Sequence, residues 1–326
     1  MFRRQAEHFA LLGSPVYARL ARVLADDPAP AQAVLGEDAT WDAGLRLFGA
    51  VHYLVLAGVA PDGLDGETAF LEALSVHRAE LARFTREQGV QTNEVARCAG
   101  LLPCFLAIAR ETGLPLELLE LGPSAGLNLL LDRYRYVYSA GEWGPADAQV
   151  VLRPREIAPV PAELLHVPLE IRGRTGIDLA PVDVTTDAGY RLLRAFIWPG
   201  LVERIERFDA AVATMRAEPE RPRLVQGDYV ELLPGVLAGR PPDAVTVVFQ
   251  TASTGYLASE ANLSLMRALG DAGADGRPLA WVSTRRMDER ETDRDDSWEL
   301  ELRIWPDTAR LVAHMDFHGN WVEWLG

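Results

Sequence analysis

The sequence predicts an α/β protein in which an all-helical domain precedes a mostly parallel β-sheet with helices on both faces. Over residues 1–113, apolar residues recur at helical spacing. From there onward, strand-like and helix-like segments alternate, which is typical of a parallel sheet. The last segment, residues 298–325, is typical of an antiparallel strand pair at a sheet edge. We therefore expect two domains, residues 1–113 and residues 114–326.

The expected helical domain contains five predicted helices. Ser14 is a suitable N-cap, and Pro15 a suitable first residue, for the second helix. Pro103 lies inside the fifth helix and is expected to kink it. The five predicted helices cover residues 5–12, 15–24, 41–55, 70–84 and 92–112.

The expected sheet domain begins with a short apolar strand, a glycine-rich turn and a helix. An irregular, Pro-rich insertion follows at residues 134–168. Two further helical segments are predicted at residues 185–217, broken at Pro199, and at residues 259–273. The strands predicted before the C-terminal pair cover residues 115–121, 170–181, 223–229, 244–252 and 278–286.

Composition limits the classes of partner. Acidic residues outnumber basic ones 47 to 32, and the net charge is −15. We therefore expect neither nucleic-acid nor membrane binding, since both need a basic face. All the basic residues are arginines, which excludes lysine-based Schiff-base or P-loop chemistry. Two cysteines form no disulfide framework, and no signal-peptide pattern is present, so we expect a cytoplasmic protein.

The turn Glu120-Leu-Gly122-Pro-Ser124-Ala-Gly126 is the most informative segment for function. Its glycines allow a tight turn and close approach of a ligand, and the following helix N-terminus suits an anion. The turn resembles motif I of the class I S-adenosylmethionine-dependent methyltransferases, with Ser124 in place of the middle glycine. The resemblance implies S-adenosylmethionine as cofactor, with Glu120 at its amino group and the turn backbone at its carboxylate. Asn128, in the following helix, joins the expected cofactor-binding residues.

Three downstream segments match the same family in the same order. Asp178 closes a predicted strand and resembles the acid that binds both ribose hydroxyls, with Asp183 as the competing candidate. Asp228 resembles the acid that faces the adenine amino group. Gln250 ends the fourth strand, where the family places the transferred methyl group. The resemblance therefore implies a Rossmann-like domain and methyl transfer to a small-molecule or protein acceptor.

Two features depart from the family pattern. The interval from Gly122 to Asp178 is longer than the roughly 20 residues usual in a dinucleotide-binding unit. The insertion at residues 134–168 must therefore fold back, or the second motif is misplaced. The fourth strand ends in Gln250-Thr251 instead of an acid or an Asn-Pro-Pro motif, so the methyl acceptor stays open.

Several polar residues outside these motifs are candidates for acceptor chemistry. His52 and His77 lie on apolar helix stripes, so each is either a core histidine or a general base near neutral pH. Asn93, Glu94 and Arg97 open the fifth predicted helix. They either cap it and form an i to i+3 ion pair, or they bind substrate.

Two other functions compete with methyl transfer. The pattern Gly-x-Ser-x-Gly also matches the nucleophile elbow of α/β-hydrolases, with Ser124 as nucleophile and His314 or His318 as base. Alternatively, the chain binds a nucleotide without catalysis, as a sensor. His314, Asp316 and His318 alternate as on one strand face, which we interpret as a solvated edge, so no metal is expected.

The whole chain also resembles a bacterial family of unknown function. The resemblance implies a helical part fused to a methyltransferase-like part, and it leaves open whether the protein is a monomer or a homodimer. The segments that carry it are FRRQAEHFALLGSPVYARLA, QTNEVARCAGLLP, ELGPSAGLNLLLDRYRY, GIDLAPVDVT and FHGNWVEWL.

Overall fold

The computed structural model describes residues 1–38, 40–287 and 297–326. Three short 3-10 helices accompany the α-helices and strands, at Val95–Arg97, Leu127–Arg133 and Ser253–Tyr256. The α-helices are α1 (Phe2–Leu11), α2 (Pro15–Asp26), α3 (Ala29–Leu35), α4 (Ala43–Leu56), α5 (Glu67–Val76), α6 (Arg78–Glu87), α7 (Cys98–Thr112), α8 (Ala162–Leu165), α9 (Asp187–Ala195), α10 (Val202–Ala217), α11 (Tyr229–Ala238) and α12 (Ser259–Gly273). The strands are β1 (Leu116–Leu121), β2 (Arg135–Tyr138), β3 (Gly141–Trp143), β4 (Val151–Leu152), β5 (Arg155–Ala158), β6 (Ile171–Asp178), β7 (Arg223–Gln226), β8 (Val245–Phe249), β9 (Leu279–Arg286), β10 (Ser297–Ile304), β11 (Arg310–Asp316) and β12 (Trp321–Trp324).

The chain forms two compact units whose boundaries differ from the expected one at residue 113. Unit 1 comprises Met1–Thr92 and Asp183–Asp209, and unit 2 comprises Asn93–Val182 and Ala210–Gly326. The last helix of the expected helical domain, α7, packs against β9, β10 and β11 and therefore belongs to the sheet unit. In the opposite direction, α9 packs against α4 and therefore belongs to the helical unit.

Unit 1 is built around the buried helix α4. Most of its residues are apolar and buried, as expected for a helix surrounded by other helices. The rings of Phe9 and Tyr17 pack edge to face against each other, and that of Phe48 stacks on Phe70 with ring centres 5.7 Å apart. Burial of these aromatic side chains supplies much of the hydrophobic stabilisation of the unit.

The predicted helix over residues 70–84 is two helices, α5 and α6, which meet at His77. Apolar residues continue at helical spacing through this break, and no glycine or proline marks it. A helix that the sequence did not predict, α3, follows Pro28 and holds Pro30 in its first turn, where a proline is tolerated.

Unit 2 contains a nine-stranded, mostly parallel sheet in the order β5-β12-β11-β10-β9-β8-β1-β6-β7. The strands from β9 to β7 in this order are parallel to one another. Helices cover both faces, as predicted. Leu233 of α11 and Leu265 of α12 belong to one apolar core with Val248 of β8. Phe105 of α7 packs against Phe249 of β8, the next residue of that strand, at 5.2 Å.

The C-terminal segment forms three antiparallel strands, β10, β11 and β12, where a pair was expected. The turn between β11 and β12 divides the second predicted strand. Gly319 has a φ of +75° in this turn, and its N–H donates to the Asp316 carbonyl. Gly-Asn is a strong turn signal, which explains the break.

The insertion after the glycine turn is ordered as strands. β2 pairs with β3 and β4 in a small three-stranded sheet, while β5 joins the edge of the large sheet beside β12. Within the described part of the chain, no helix is both long and apolar enough to cross a membrane.

Candidate functional site

Adjacent strand ends bring the cofactor candidates of unit 2 to one edge of the sheet. The chain runs from β1 to β6 and β7 on one side, then returns to β8 on the other side of β1. In open α/β sheets, ligands bind outside the carboxyl ends of the strands at such a change of direction. Glu120 lies at the end of β1, Asp178 ends β6, and Gln250 directly follows β8.

The glycine turn after β1 is tightly fixed by its surroundings. Gly122, Ser124 and Gly126 all have positive φ, at +72°, +55° and +75°. A Cβ on Gly122 would lie 2.5 Å from the Cβ of Ser253, so this close approach requires glycine. The segment after the turn, predicted as an ordinary helix, is a 3-10 helix that begins at Leu127.

Asp178 anchors this turn through its carboxylate. Its Oδ2 accepts a hydrogen bond from the Ser124 N–H at 2.8 Å, and its Oδ1 accepts one from the Ala180 N–H at 2.9 Å. A carboxylate can accept about four hydrogen bonds, so each oxygen retains acceptor capacity. The competing candidate, Asp183, lies in unit 1, where its Oδ1 accepts a hydrogen bond from the Thr185 N–H.

Asp228 is the N-cap of α11. Its Oδ1 accepts a hydrogen bond from the Val230 N–H at 2.8 Å, which satisfies one free donor of the first helical turn. The residue is exposed at the carboxyl end of β7. Its carboxylate is therefore open to solvent as well as bonded to the helix.

Glu120 is a buried acid with an unused oxygen. It is 2% exposed, and its Oε1 accepts a hydrogen bond from Asn128 Nδ2 at 3.3 Å. Within the described part of the chain, its Oε2 has no hydrogen-bond partner. Burial raises the pKa of Glu120 to about 8, so the neutral carboxyl form prevails at pH 7. An acceptor left unpaired in this way is costly unless a ligand or water satisfies it.

Neighbouring groups orient the Asn128 and Gln250 amides. Cys98 Sγ donates to Asn128 Oδ1 at 3.4 Å, which directs the Asn128 amide nitrogen toward Glu120. Gln250 is fully buried, and its Nε2 donates to the Thr284 carbonyl at 3.0 Å. Its Oε1 has no hydrogen-bond partner among the described residues. Two buried acceptors without partners therefore lie at the ends of adjacent strands.

The predicted substrate-binding residues Asn93, Glu94 and Arg97 all belong to unit 2. Asn93 Oδ1 accepts a hydrogen bond from the Leu127 N–H at 3.3 Å, directly after the glycine turn. Glu94 caps the 3-10 helix that precedes α7, because its Oε1 accepts a hydrogen bond from the Ala96 N–H. Asn93 therefore connects this segment to the end of the glycine turn, whereas this hydrogen bond of Glu94 lies within the segment itself.

Arg97 connects three segments of unit 2. Its Nε donates to the Phe317 carbonyl at 2.8 Å, and its Nη1 donates to Thr251 Oγ1 at 3.2 Å. The guanidinium carbon lies 4.1 Å from the centre of the Phe317 ring, within the range of a cation–π contact. A Cβ on Gly319 would lie 2.3 Å from the carbonyl carbon of Ala96, so the turn after β11 packs closely against the backbone of the segment that holds Arg97.

The candidate bases His52 and His77 both belong to unit 1. His52 is buried, with its Nδ1 3.1 Å from the Ala195 carbonyl oxygen. Burial, and then the charge of Arg194, lower the pKa of His52 to about 4. His77 lies between α5 and α6, with its Nδ1 3.3 Å from Glu80 Oε2. The sequence predicted that His77 lies on an apolar helix stripe. The structure instead places it at the junction between two helices.

The alternating residues of β11 have separate partners. His314 Nδ1 lies 3.2 Å from Glu323 Oε2, and Asp316 Oδ1 accepts a hydrogen bond from the Trp321 N–H at 3.2 Å. His318 lies in the following turn instead of on the strand. Among the described residues, no group of three His, Cys, Asp or Glu side chains is arranged to hold a metal ion.

Sequence reasoning missed the residues that support the turn and Arg97. Ser253 packs on Gly122, while Thr251 and Phe317 bind Arg97. Thr251 lies near the end of the predicted strand at residues 244–252, and Ser253 directly follows that strand. A polar residue at a strand end is the signal that could have identified them. Nothing in the local pattern connects Phe317 with a residue 220 positions earlier.

Comparison with known proteins identifies the family to which the chain belongs. No curated protein matches the chain. A family model described as "Uncharacterized protein conserved in bacteria (DUF2332)" matches residues 1–324. The match includes both units, with the glycine turn, Asp178, Arg97 and Gln250. The chain therefore belongs to the bacterial DUF2332 family.

Proposed function

We propose that this protein binds S-adenosylmethionine at the carboxyl ends of β1 and β8 and transfers its methyl group to a small-molecule acceptor. The observation that carries the proposal is the unpartnered Oε2 of Glu120, a buried acid beside a glycine turn. An ammonium group is the ligand that such an oxygen favours, because it donates hydrogen bonds and carries the opposite charge.

The strand order supports a Rossmann-like, class I methyltransferase-like assignment. Counted in chain order, the strands β1, β6, β7, β8 and β9 occupy the spatial order 3-2-1-4-5. This is the order of the doubly wound nucleotide-binding sheets, whose ligands lie outside the first and fourth strands. The glycine turn and Gln250 follow those two strands.

Three acids fit the amino group, ribose and adenine of such a ligand. Glu120 Oε2 would accept a hydrogen bond from its amino group. Half-buried Asp178 retains one free lone pair on each oxygen after binding Ser124 and Ala180, which suits two ribose hydroxyls. The exposed carboxylate of Asp228 would accept a hydrogen bond from the adenine amino group.

The ligand carboxylate fits the turn less simply than the motif implies. The N–H groups of Gly122, Ser124 and Leu127 already donate to protein oxygens. These three groups therefore serve mainly to hold the turn.

The bound cofactor would supply a methyl group on a positively charged sulfur. The protein's own contribution is to position the two reactants and to exclude water. Gln250 suits this role, because its amide is fixed by Thr284 and its Oε1 can accept a hydrogen bond from an acceptor N–H or O–H group.

The fold disfavours the serine hydrolase alternative. The oxyanion hole of an α/β-hydrolase needs an N–H group from a loop after an earlier strand. In this chain β1 is the first described strand, and the described residues before it form helices and their connections. The N–H of Ser124 itself donates to Asp178.

The experiment is calorimetric titration with S-adenosylmethionine and S-adenosylhomocysteine. Glu120→Gln should weaken binding by about tenfold or more, since it removes a charged hydrogen bond to the ligand amine. Glu117→Gln, the same change near the other end of β1, should leave the affinity unchanged. Absence of heat with either ligand at high protein concentration would refute the proposal.

Proton release gives an independent readout at this site. Because the pKa of Glu120 is about 8, an ammonium group can pair with it at pH 7 only after the carboxyl group loses its proton. Titrations in buffers of different ionisation enthalpy should therefore show close to one proton released per ligand bound. Glu120→Gln should abolish the release. Saturable binding without methylation of any acceptor would favour the non-catalytic alternative.

A further inference from the structure

Three side chains that donate hydrogen bonds, Arg97, Thr284 and Trp298, form a donor cluster in unit 2. Thr284 lies on β9 and Trp298 on β10. The register pairs Thr284 with Leu300, two residues along β10 from Trp298, so both side chains lie on one face of the sheet. Diagonal neighbours of this kind are about 7–8 Å apart, which is within reach of an aromatic side chain.

Phe317 connects Trp298 with Arg97. The centre of its ring lies 5.1 Å from that of Trp298 and 4.1 Å from the guanidinium carbon of Arg97. Helix α7 covers the same face of the sheet, because a Cβ on Gly100 would lie 2.8 Å from Sδ of Met315, the residue opposite Trp298 on β11. Arg97 directly precedes this helix. The donor cluster therefore lies on the α7 side of the sheet.

Gln250 and Thr251 connect the donor cluster on the side of β8. Arg97 Nη1 donates to Thr251 Oγ1 at 3.2 Å. Gln250, the preceding residue, donates from Nε2 to the Thr284 carbonyl at 3.0 Å. Contacts therefore connect Arg97 with Thr284 on this side as well as through the aromatic rings.

Two buried polar atoms of the donor cluster lack a hydrogen-bond partner among the described residues, Thr284 Oγ1 and Trp298 Nε1. Thr284 is 5% exposed, and the indole N–H of Trp298 can only donate. Arg97 is 3% exposed, and its hydrogen bonds to Phe317 and Thr251 go to uncharged oxygens. All three side chains can therefore donate to one group, and one of them carries a positive charge.

We propose that Arg97, Thr284 and Trp298 bind the carboxylate of a small organic acid, and that this acid is the methyl acceptor. A carboxylate accepts about four hydrogen bonds, and its single negative charge matches the one guanidinium, whereas a phosphate group carries nearly two charges. The rings of Phe317 and Trp298 suit the apolar body of the acid. Only its role as acceptor rests on the proposed function, in which Gln250, bonded to Thr284, holds the acceptor.

Nuclear magnetic resonance of the full ¹⁵N-labelled chain with benzoate tests the proposal. The indole N–H signal of Trp298 is identified by its absence in Trp298→Phe. Benzoate should shift this signal saturably, because the N–H gains an acceptor. Benzamide has the same shape without the charge and should bind about tenfold more weakly or less, as should inorganic phosphate.

Thr284→Val should weaken benzoate binding by about tenfold, since it removes a hydrogen bond to a charged group. It should leave thermal unfolding unchanged or slightly improved, because the hydroxyl that it removes has no partner among the described residues. Thr246→Val is the matched control. It removes another buried hydroxyl without such a partner, near the start of β8, and should leave benzoate affinity unchanged.

The benzoate titration needs no cofactor, so its failure is distinct from failure of S-adenosylmethionine binding. An unshifted Trp298 signal, equal binding of benzamide or phosphate, or equal effects of Thr284→Val and Thr246→Val would each overturn the carboxylate site.

A repeat with saturating S-adenosylhomocysteine tests the role as acceptor, and benzoate should still bind. Displacement of benzoate would show that the donor cluster holds the carboxylate of the cofactor, and would overturn the acceptor assignment. If benzoate binds and S-adenosylhomocysteine does not, the carboxylate site stands and its role in methyl transfer falls.

Discussion

The backbone N–H of Ser124 donates a hydrogen bond to Oδ2 of Asp178 at 2.8 Å, across 54 positions of sequence. The bond joins the end of β6 to the turn after β1. Ser124 is also the one described non-glycine residue with positive φ, a conformation that costs free energy. The Asp178 carboxylate therefore helps to hold the turn in the shape that the candidate site requires.

Asp178→Asn should destabilise the protein by about 1–3 kcal/mol, the cost of leaving a backbone donor without its acceptor. The asparagine oxygen can still accept a hydrogen bond from the Ala180 N–H, but its NH₂ group would then face the Ser124 N–H. Urea unfolding at pH 7 measures the change. Asp147→Asn, at an exposed position, should change stability by less than about 0.5 kcal/mol. Equal effects of the two changes would contradict this role.

The raised pKa of Glu120 predicts how stability depends on pH. The ordinary pKa of a glutamate side chain is 4.5 and that of Glu120 in the folded chain is about 8, so between these pH values the folded chain binds more protons than the unfolded one. The free energy of unfolding should therefore fall as pH rises from about 5 to 8, by at most about 1.4 kcal/mol per pH unit.

Glu120→Gln should remove this contribution. The free energy of unfolding of Glu120→Gln, relative to that of the wild type, should rise as pH increases from 5 to 8. The exposed Glu163→Gln serves as control and should follow the wild type throughout. Parallel curves for wild type and Glu120→Gln would show that the carboxyl group titrates normally.

Local signals were enough to predict the central part of unit 2. The apolar run that forms β1 and the glycines after it specify a strand followed by a turn. The later strands alternate with helices, and the alternation predicted a parallel sheet with helices on both faces. Gly122 and Gly126 have the positive φ that their placement in a tight turn indicated.

Features that depend on long-range packing could not be predicted in this way. Helical spacing alone assigned α7 to the helical domain, although it packs against the sheet. The position of Arg97 depends on Phe317, which is 220 residues away in sequence. Residue types at 93–97 indicated a polar helix start, but only the fold shows that this start contacts the glycine turn through Asn93.

The lowered pKa of His52 predicts an effect of the opposite sign in unit 1. The ordinary pKa of a histidine side chain is 6.5 and that of His52 in the folded chain is about 4, so in this pH range the unfolded chain binds more protons than the folded one. The free energy of unfolding should therefore fall as pH decreases from 6.5 to 4. His52→Gln should reduce this loss, because glutamine can still donate to the Ala195 carbonyl and does not titrate. His166→Gln, at an exposed histidine, should not reduce it.

The contact between Gly122 and Ser253 predicts a specific coupling at the turn. Gly122→Ala should destabilise the protein by about 1–3 kcal/mol, because a Cβ would meet the Ser253 Cβ at 2.5 Å and φ is +72°. Ser253→Gly removes that obstacle, together with the hydrogen bond from Ser253 Oγ to the Leu121 carbonyl. In a double-mutant cycle by urea unfolding, the double variant should therefore be more stable than the sum of the single changes implies.

The control is Gly255→Ala, where a Cβ would meet nothing within 4 Å, so this change should destabilise the protein far less than Gly122→Ala. Strict additivity would mean that the turn moves away from Ser253, and that the cost of Gly122→Ala comes from its backbone conformation alone.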